Sequence, residues 1–191
     1  MGMPAHAKRW TVDEVRALQD ESRAWPRYEL IDGALLVTNA PSPRHQRATF
    51  LLCAALEEYC KSRRIGIVFM SPADLELETG TIAQPDVFVV PSSDGRVPEK
   101  WSQVHTLLLA VEILSPSNAR QDRVIKRRYY SRAGVPEYWI VDLDARVVER
   151  WRPGDVRGEL LEEELSWNPE GAAGHDNFVL DLADFFARTT G

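Results

Sequence analysis

Residues 107 to 118 read LLLAVEILSPSN. Leu107 to Val111, then Ile113 and Leu114, form an apolar run that stops at Ser115-Pro116-Ser117-Asn118. A short apolar run ended by a turn signal predicts a strand of an inner sheet. Glu112 stands in the middle of it. Glutamate is almost never fully buried unless it is paired or holds a metal. A buried Glu112 therefore needs an explanation, either a partner or a metal.

Upstream lies IAQPDVFVV, Ile82 to Val90. Pro85 cannot donate to a central ladder, so the strand proper begins near Asp86. Asp86 reads either as a strand-entry residue bonding a nearby amide or as a second acid beside Glu112. Gly66 to Met70 and Ala73 to Leu77 are predicted as short strands around a bend at Ser71-Pro72. Downstream, Glu137 to Asp142 and Val147 to Trp151 predict a hairpin across Asp144-Ala145. Nearer the N-terminus, YELI and ALLV flank Asp32-Gly33, a strong hairpin signal. Glu29, in the first of these strands, faces either outward or a site, since side chains alternate along a strand.

Helices fill the gaps. Thr11 and Glu14 have capping-box spacing. Arg44 to Ser62 carries Leu51, Leu52, Ala55, Leu56 and Tyr59 at helical spacing, with His45 near its start. His45 reads as a capping or surface residue, or as a proton carrier. Ala119 to Ala133 predicts a helix closed by Gly134. Gly154 to Gly174 reads as loop, with a solvated acidic run at Glu162 to Glu164. Phe178 to Leu182 predicts a short strand or turn, and Leu182 to Ala187 a last helical turn or two.

The 191 residues suit one domain, 1–191, with a loose start over Met1 to Arg9. Hydrophobic content of 44% and charged content of 27% are those of a globular protein. A net charge of -6 argues against a general nucleic-acid coat protein and leaves a local site open. No apolar run nears the ~18 residues of a membrane span, and no leader pattern is visible. Cys53 and Cys60 on one helix stand roughly 10 Å apart, too far for a disulfide. With no zinc spacing either, the expected setting is reducing and cytoplasmic.

Projected at ~100° per residue, Asp122 to Ala133 places Ile125, Tyr129 and Ala133 on one side. Arg123, Arg127, Arg128 and Ser131 fall on the other. Asp122 and Lys126 lie inside the apolar arc. They read as an i,i+4 pair at its edge, or as a lysine turned toward an anion in the sheet. Two acids on adjacent strands, Asp86 and Glu112, repel each other, and burial makes this worse. A divalent cation relieves both costs, and hard oxygen ligands suit Mg2+ or Mn2+. Such an ion polarises a phosphodiester and acidifies bound water. Lys126 is placed to orient that water or neutralise charge growing on the phosphate.

In RYELIDGALLV, PSPRHQ, QPDVFVV, VEILSPSN, the D-R-x-x-K-x-x-x-Y run from Asp122 to Tyr130, and AGVPEYWIVD, the chain resembles the Uma-two family of restriction endonucleases. That family lies within the PD-(D/E)XK nuclease superfamily. The resemblance implies a restriction-endonuclease-like α/β fold, a mixed central sheet flanked by helices. It implies Asp86 and Glu112 as the metal pair, with Glu29 as a possible additional acid. The superfamily places a lysine two residues after the second acid, where this chain has Leu114. Lys126, on the following helix, takes its place.

The function expected is Mg2+-dependent endonucleolytic cleavage of DNA by Asp86, Glu112 and Lys126, with Glu29, His45 and Asp122 as further candidates. RNA is not excluded as substrate. Arg120, Arg123, Arg127, Arg128 and Arg132 offer phosphate contacts or a plain solvated face. Double-strand cleavage also leads to the expectation of a homodimer. The alternative is a non-catalytic nucleic-acid-binding or assembly module that keeps the fold.

Overall fold

A computed structural model describes residues 8–22, 25–116, 118–169 and 176–190. Most of the expected loose start, and the end of the expected loop after Gly154, lie outside them. Helix α1 (Val12–Glu21) opens with the expected capping box: Glu14 N–H donates to Thr11 Oγ1, and Thr11 N–H donates to the Glu14 carboxylate. Strands β1 (Arg27–Ile31) and β2 (Ala34–Thr38) form a hairpin. Asp32 and Gly33 both take positive φ, 54° and 76°, as a tight two-residue turn demands.

Helix α2 (Pro43–Arg63) is capped by Ser42, whose hydroxyl accepts from His45 N–H. Next come β3 (Gly66–Met70), β4 (Val87–Pro91) and β5 (Leu109–Ile113). Helix α3 runs as a π-helix over Gln121–Lys126 and as an α-helix over Arg127–Arg132. Then follow β6 (Tyr138–Asp142), β7 (Val147–Trp151) and β8 (Glu159–Leu161). A separate pair, β9 (Glu164–Trp167) and β10 (Phe178–Asp181), leads into α4 (Leu182–Arg188).

The central sheet has the order β3-β4-β5-β6-β7-β8. Only β5 and β6 run parallel, joined by α3 as a crossover; the other neighbours are antiparallel. This is the mixed sheet flanked by helices that the family resemblance implies. Strand alternation sorts the two faces. Val87, Val89, Leu109, Val111, Ile113, Trp139 and Val141 pack with α2 and α4. Phe88, Ala110, Tyr138 and Ile140 pack with Tyr129 and Tyr130 of α3 and with Ile31 and Leu36 of the hairpin. Glu112, an even position on β5, therefore projects toward α3.

Two expectations fail. Ala73 to Leu77 is not a strand: a single bridge joins Leu75 to Ala83 before the turn at residues 78–80 reverses the chain. Gly154 to Gly174 is not all loop, because it contains β8 and β9. In β9, Leu165 and Trp167 are buried while Glu164 is exposed; the acidic run masked this two-residue period. Cys53 and Cys60 are free thiols on α2, as expected, and burial pushes both up to about 12. No helix of the described residues is long and apolar enough to cross a membrane.

Candidate active site

Five elements converge on one cavity of about 1050 Å³. They are β1, the start of α2, the entry to β4, the end of β5, and α3. Asp86, Glu112 and Lys126 all line it, as do Glu29, His45 and Asp122. Antiparallel pairing of Val87 with Val111 brings Asp86 alongside Glu112 one residue further on.

Lys126 is 4% exposed and is surrounded by acids. Its Nζ lies 2.8 Å from Glu29 Oε2, 2.9 Å from Glu112 Oε1 and 3.8 Å from Asp122 Oδ1. Burial alone lowers the ammonium pKa, but the attraction of Glu112, Glu29 and Asp122 outweighs it and holds Lys126 well above its ordinary value. The Tyr130 hydroxyl donates to the same Glu112 oxygen at 3.2 Å. Burial drives Glu112 well above the usual carboxylate range, and repulsion from Asp86, Asp122 and Glu29 adds to it against the pull of Lys126. Burial likewise raises Asp122 to about 7.

The π-helix explains how Lys126 reaches the sheet. Arg127 N–H donates to the Asp122 carbonyl, five residues back. The α-helical projection put Asp122 and Lys126 in the apolar arc, and both are indeed buried. The wider π turn is what that projection did not contain, and such turns are frequent at functional sites.

Asp86 has a different environment. Its Oδ2 accepts from Ile113 N–H at 2.9 Å and lies 3.0 Å from His45 Nε2. Both sequence alternatives hold here, since the amide comes from the neighbouring strand and Asp86 also lines the cavity. Burial raises its pKa, but the hydrogen bond and charge of His45 and the Ile113 amide bring it below the ordinary value. Burial lowers His45, and its bond to Asp86 more than restores it, so His45 sits above its ordinary value. The Thr49 hydroxyl lies 3.5 Å from the other ring nitrogen.

Glu29 is buried, not outward-facing. Both its oxygens are committed: Oε1 accepts from Gln84 N–H at 2.7 Å and Oε2 pairs with Lys126. It is the lysine's nearest counter-ion. Asp86 and Glu112 each commit one oxygen, Oδ2 and Oε1. Their second oxygens have no protein donor among the described residues. No three ligating side chains of the described residues form a ready metal cage. The pair therefore fits an ion that keeps most of its waters and takes one or two carboxylates, as Mg2+ does.

The arginines of α3 are largely spent elsewhere. Arg123 bonds Glu149 and Asp142, and Arg132 bonds Asp32 and Glu78. Arg127 lies over the Trp151 ring. Three residues of the site escaped the sequence reading: Arg27, Gln84 and Tyr130. Each belongs to a quoted motif, RYELIDGALLV, QPDVFVV or the run ending at Tyr130, so the motifs carried the signal.

A mixed central sheet flanked by helices is a restriction-endonuclease-like fold, and here it carries two acids on adjacent strands and a lysine from the crossover helix. A crystal structure from Anabaena variabilis, of "a putative nuclease belonging to DUF820", shares the fold with a TM-score of 0.69 at 20% identity. The alignment covers 94% of this chain and 98% of that one. The Uma2 family model, described as "Putative restriction endonuclease", matches residues 12–183, and the chain belongs to that family. A relative from Synechocystis, "Uncharacterized protein sll1609", is 29% identical over 155 residues, 80% of this chain and 87% of that protein.

Proposed function

We propose that the protein is a divalent-metal-dependent nuclease that hydrolyses DNA phosphodiester bonds at the Asp86–Glu112–Lys126 cavity. The observation that carries this reading is the pair of uncommitted oxygens, one on Asp86 and one on Glu112, in one cavity beside a buried ammonium. Asp86 and Glu112 would hold Mg2+ or Mn2+. When bound, the ion supplies Lewis-acid polarisation of the phosphate and a more acidic water.

The protein's own residues do the rest. His45 and the Ile113 amide fix one Asp86 oxygen and leave the other free for the ion the pair would hold. Tyr130 and Lys126 fix Glu112 in the same way. Lys126 has three N–H donors; two go to Glu29 and Glu112. The third faces Asp122 beyond hydrogen-bond reach and is available to a phosphate oxygen. An ammonium buried among carboxylates stays charged, so it can stabilise charge growing on the phosphate.

Calorimetry checks the site without any need for turnover. Mg2+ or Mn2+ binding is expected in the wild type and is lost in Asp86→Ala and in Glu112→Ala. Cleavage is tested with plasmid and Mn2+ against Glu112→Gln. Metal binding unchanged in both alanine variants removes the assignment. Metal binding without nicking of DNA or RNA favours the non-catalytic module. A homodimer is the arrangement expected for double-strand cleavage, and sedimentation tests it.

A further inference from the structure

We infer that the wall of the cavity beside Asp86 is a subsite for an unstacked nucleotide, so that the substrate enters as a single strand and not as an intact duplex. The inference rests on the nuclease reading for its place in catalysis, but its evidence is separate.

The cavity is larger than a metal and a phosphate require. At about 1050 Å³ it lies at the upper end of pockets that enclose whole organic ligands. Beyond the acids, its lining changes character to Trp25, Arg27, Met70, Ser71, Gln84 and Phe50. Phe50 and Met70 are 56% and 50% exposed, large apolar side chains left uncovered at the same opening. Of the two, Phe50 is a ring, and an exposed ring beside a backbone-binding centre is what single-strand binders use to stack bases, because every base offers a π-face.

Two polar groups on this wall are incompletely paired. Gln84 is 8% exposed, and its Oε1 is buried without a hydrogen bond. Its Nε2 donates to Asp74 at 2.6 Å, which fixes the amide and leaves the carbonyl oxygen unfilled. A buried acceptor of this kind costs stability until a donor arrives. The oxygen is closed to solvent, so an exocyclic amine or ring N–H of a base meets it only once the Gln84 side chain moves. Arg27 is the second group. Among the described residues it has no carboxylate within ion-pair reach. Its guanidinium donates to the Ser71 hydroxyl at 2.5 Å and lies 4.2 Å from the Trp25 ring, and the charges of Asp86, Glu29 and Glu112 act on it from further off. Arg44 and Arg123, the other guanidiniums of the cavity, already hold Asp144 and Asp142. Arg27 is thus the cation left for a phosphate next to the one at Asp86 and Glu112. Stacked bases inside a duplex offer this wall no free face, so a base that stacks on it must be unstacked first.

The test is fluorescence anisotropy in EDTA, which reads binding in the absence of turnover. The probes are one labelled sequence as single-stranded DNA, as single-stranded RNA and as duplex DNA. Single-stranded DNA or RNA is expected to bind at least tenfold more tightly than duplex, and the two single strands show which sugar is preferred. Phe50→Ala, at an exposed position that leaves the fold intact, and Arg27→Met are each expected to weaken single-strand binding about tenfold. Duplex binding is expected to stay within twofold. Equal binding of strand and duplex, or single-strand affinity unchanged in both folded variants, overturns the subsite. Plasmid nicking with no strand preference overturns the subsite and leaves the nuclease. Strand binding without cleavage keeps the subsite and overturns the nuclease.

Discussion

The site has two halves that use the same kind of residue to opposite ends. On the α2 side, Asp86 meets a histidine and a backbone amide and is held below its ordinary pKa. On the α3 side, Glu112 and Asp122 share one lysine with Glu29 and are pushed upward. Burial acts in the same direction on both. The difference is the ratio of donors to acids: Asp86 has two donors to itself, whereas three carboxylates compete for Lys126. Titratable groups driven apart in this way mark the assignments of an acid–base site. Here they set a carboxylate held below its ordinary value against a cluster pushed above it.

Breaking the crowded half should have the largest effect. Lys126→Met keeps volume but leaves Glu29, Glu112 and Asp122 buried without their cation. Removing one partner of a buried ion pair costs about 3–5 kcal/mol. Urea denaturation at pH 7.5 is expected to show a loss of that size, with cleavage abolished in whatever protein remains folded. A loss under about 1 kcal/mol would mean that water already solvates the cluster.

The second prediction uses the sign of the Asp122 shift. Its folded pKa of about 7 lies above the ordinary 3.8, so the folded state binds the proton more tightly. The stabilisation is fully present below pH 4 and is lost as pH rises through about 7, at up to about 1.4 kcal/mol per pH unit. Asp122→Asn mimics the protonated acid. It is expected to flatten the fall in stability between pH 4 and 7 and to exceed the wild type at pH 8. His45, raised from 6.5, keeps its own fall above that pH in the variant. Parallel pH profiles for the two proteins would locate the proton elsewhere in the cluster.

Much of this contrast was legible before any coordinates. Glu112 stood out because an apolar run on both sides left it nowhere to go but inward. Lys126 stood out because the arginines had a face of their own. The hairpin turn and the α1 cap were visible because local chemistry alone decides them. Other features depend on residues far apart in sequence. Glu29 could not be placed from alternation until α3 was seen to bring Lys126 onto it. The π turn has no signature in hydrophobic period. The α3 arginines looked available because their acids, Asp32, Glu78, Asp142 and Glu149, come from four separate segments. β9 was hidden by the acidic run that precedes it.

A milder test lies in the α2 half. His45→Gln keeps a donor near Asp86 Oδ2 but removes the ring and its charge. Ile113 N–H still holds the oxygen, so stability is expected to fall by only about 1 kcal/mol. The Asp86 pKa should move up toward its ordinary value, readable in a carbonyl-carbon NMR titration. No movement would assign the low pKa of Asp86 to the amide alone.

The smallest effect is expected from Glu112→Gln in the absence of metal. Repulsion among the carboxylates falls, and the amide oxygen can still accept from Lys126 and Tyr130. Opposing this, the ammonium loses one of its two close anions. Glu112 is already driven toward its neutral form by burial, so the charge removed is one the fold tolerates poorly. The two terms nearly cancel, and the melting temperature is expected to stay within the shift that about 1 kcal/mol produces. Cleavage should nonetheless vanish, because with the amide oxygen held by Lys126 and Tyr130 the NH2 group, which has no lone pair to give, takes the open position. A stability loss like that of Lys126→Met would make Glu112 a structural counter-ion first, and would leave Asp86 as the acid with an oxygen to spare for chemistry.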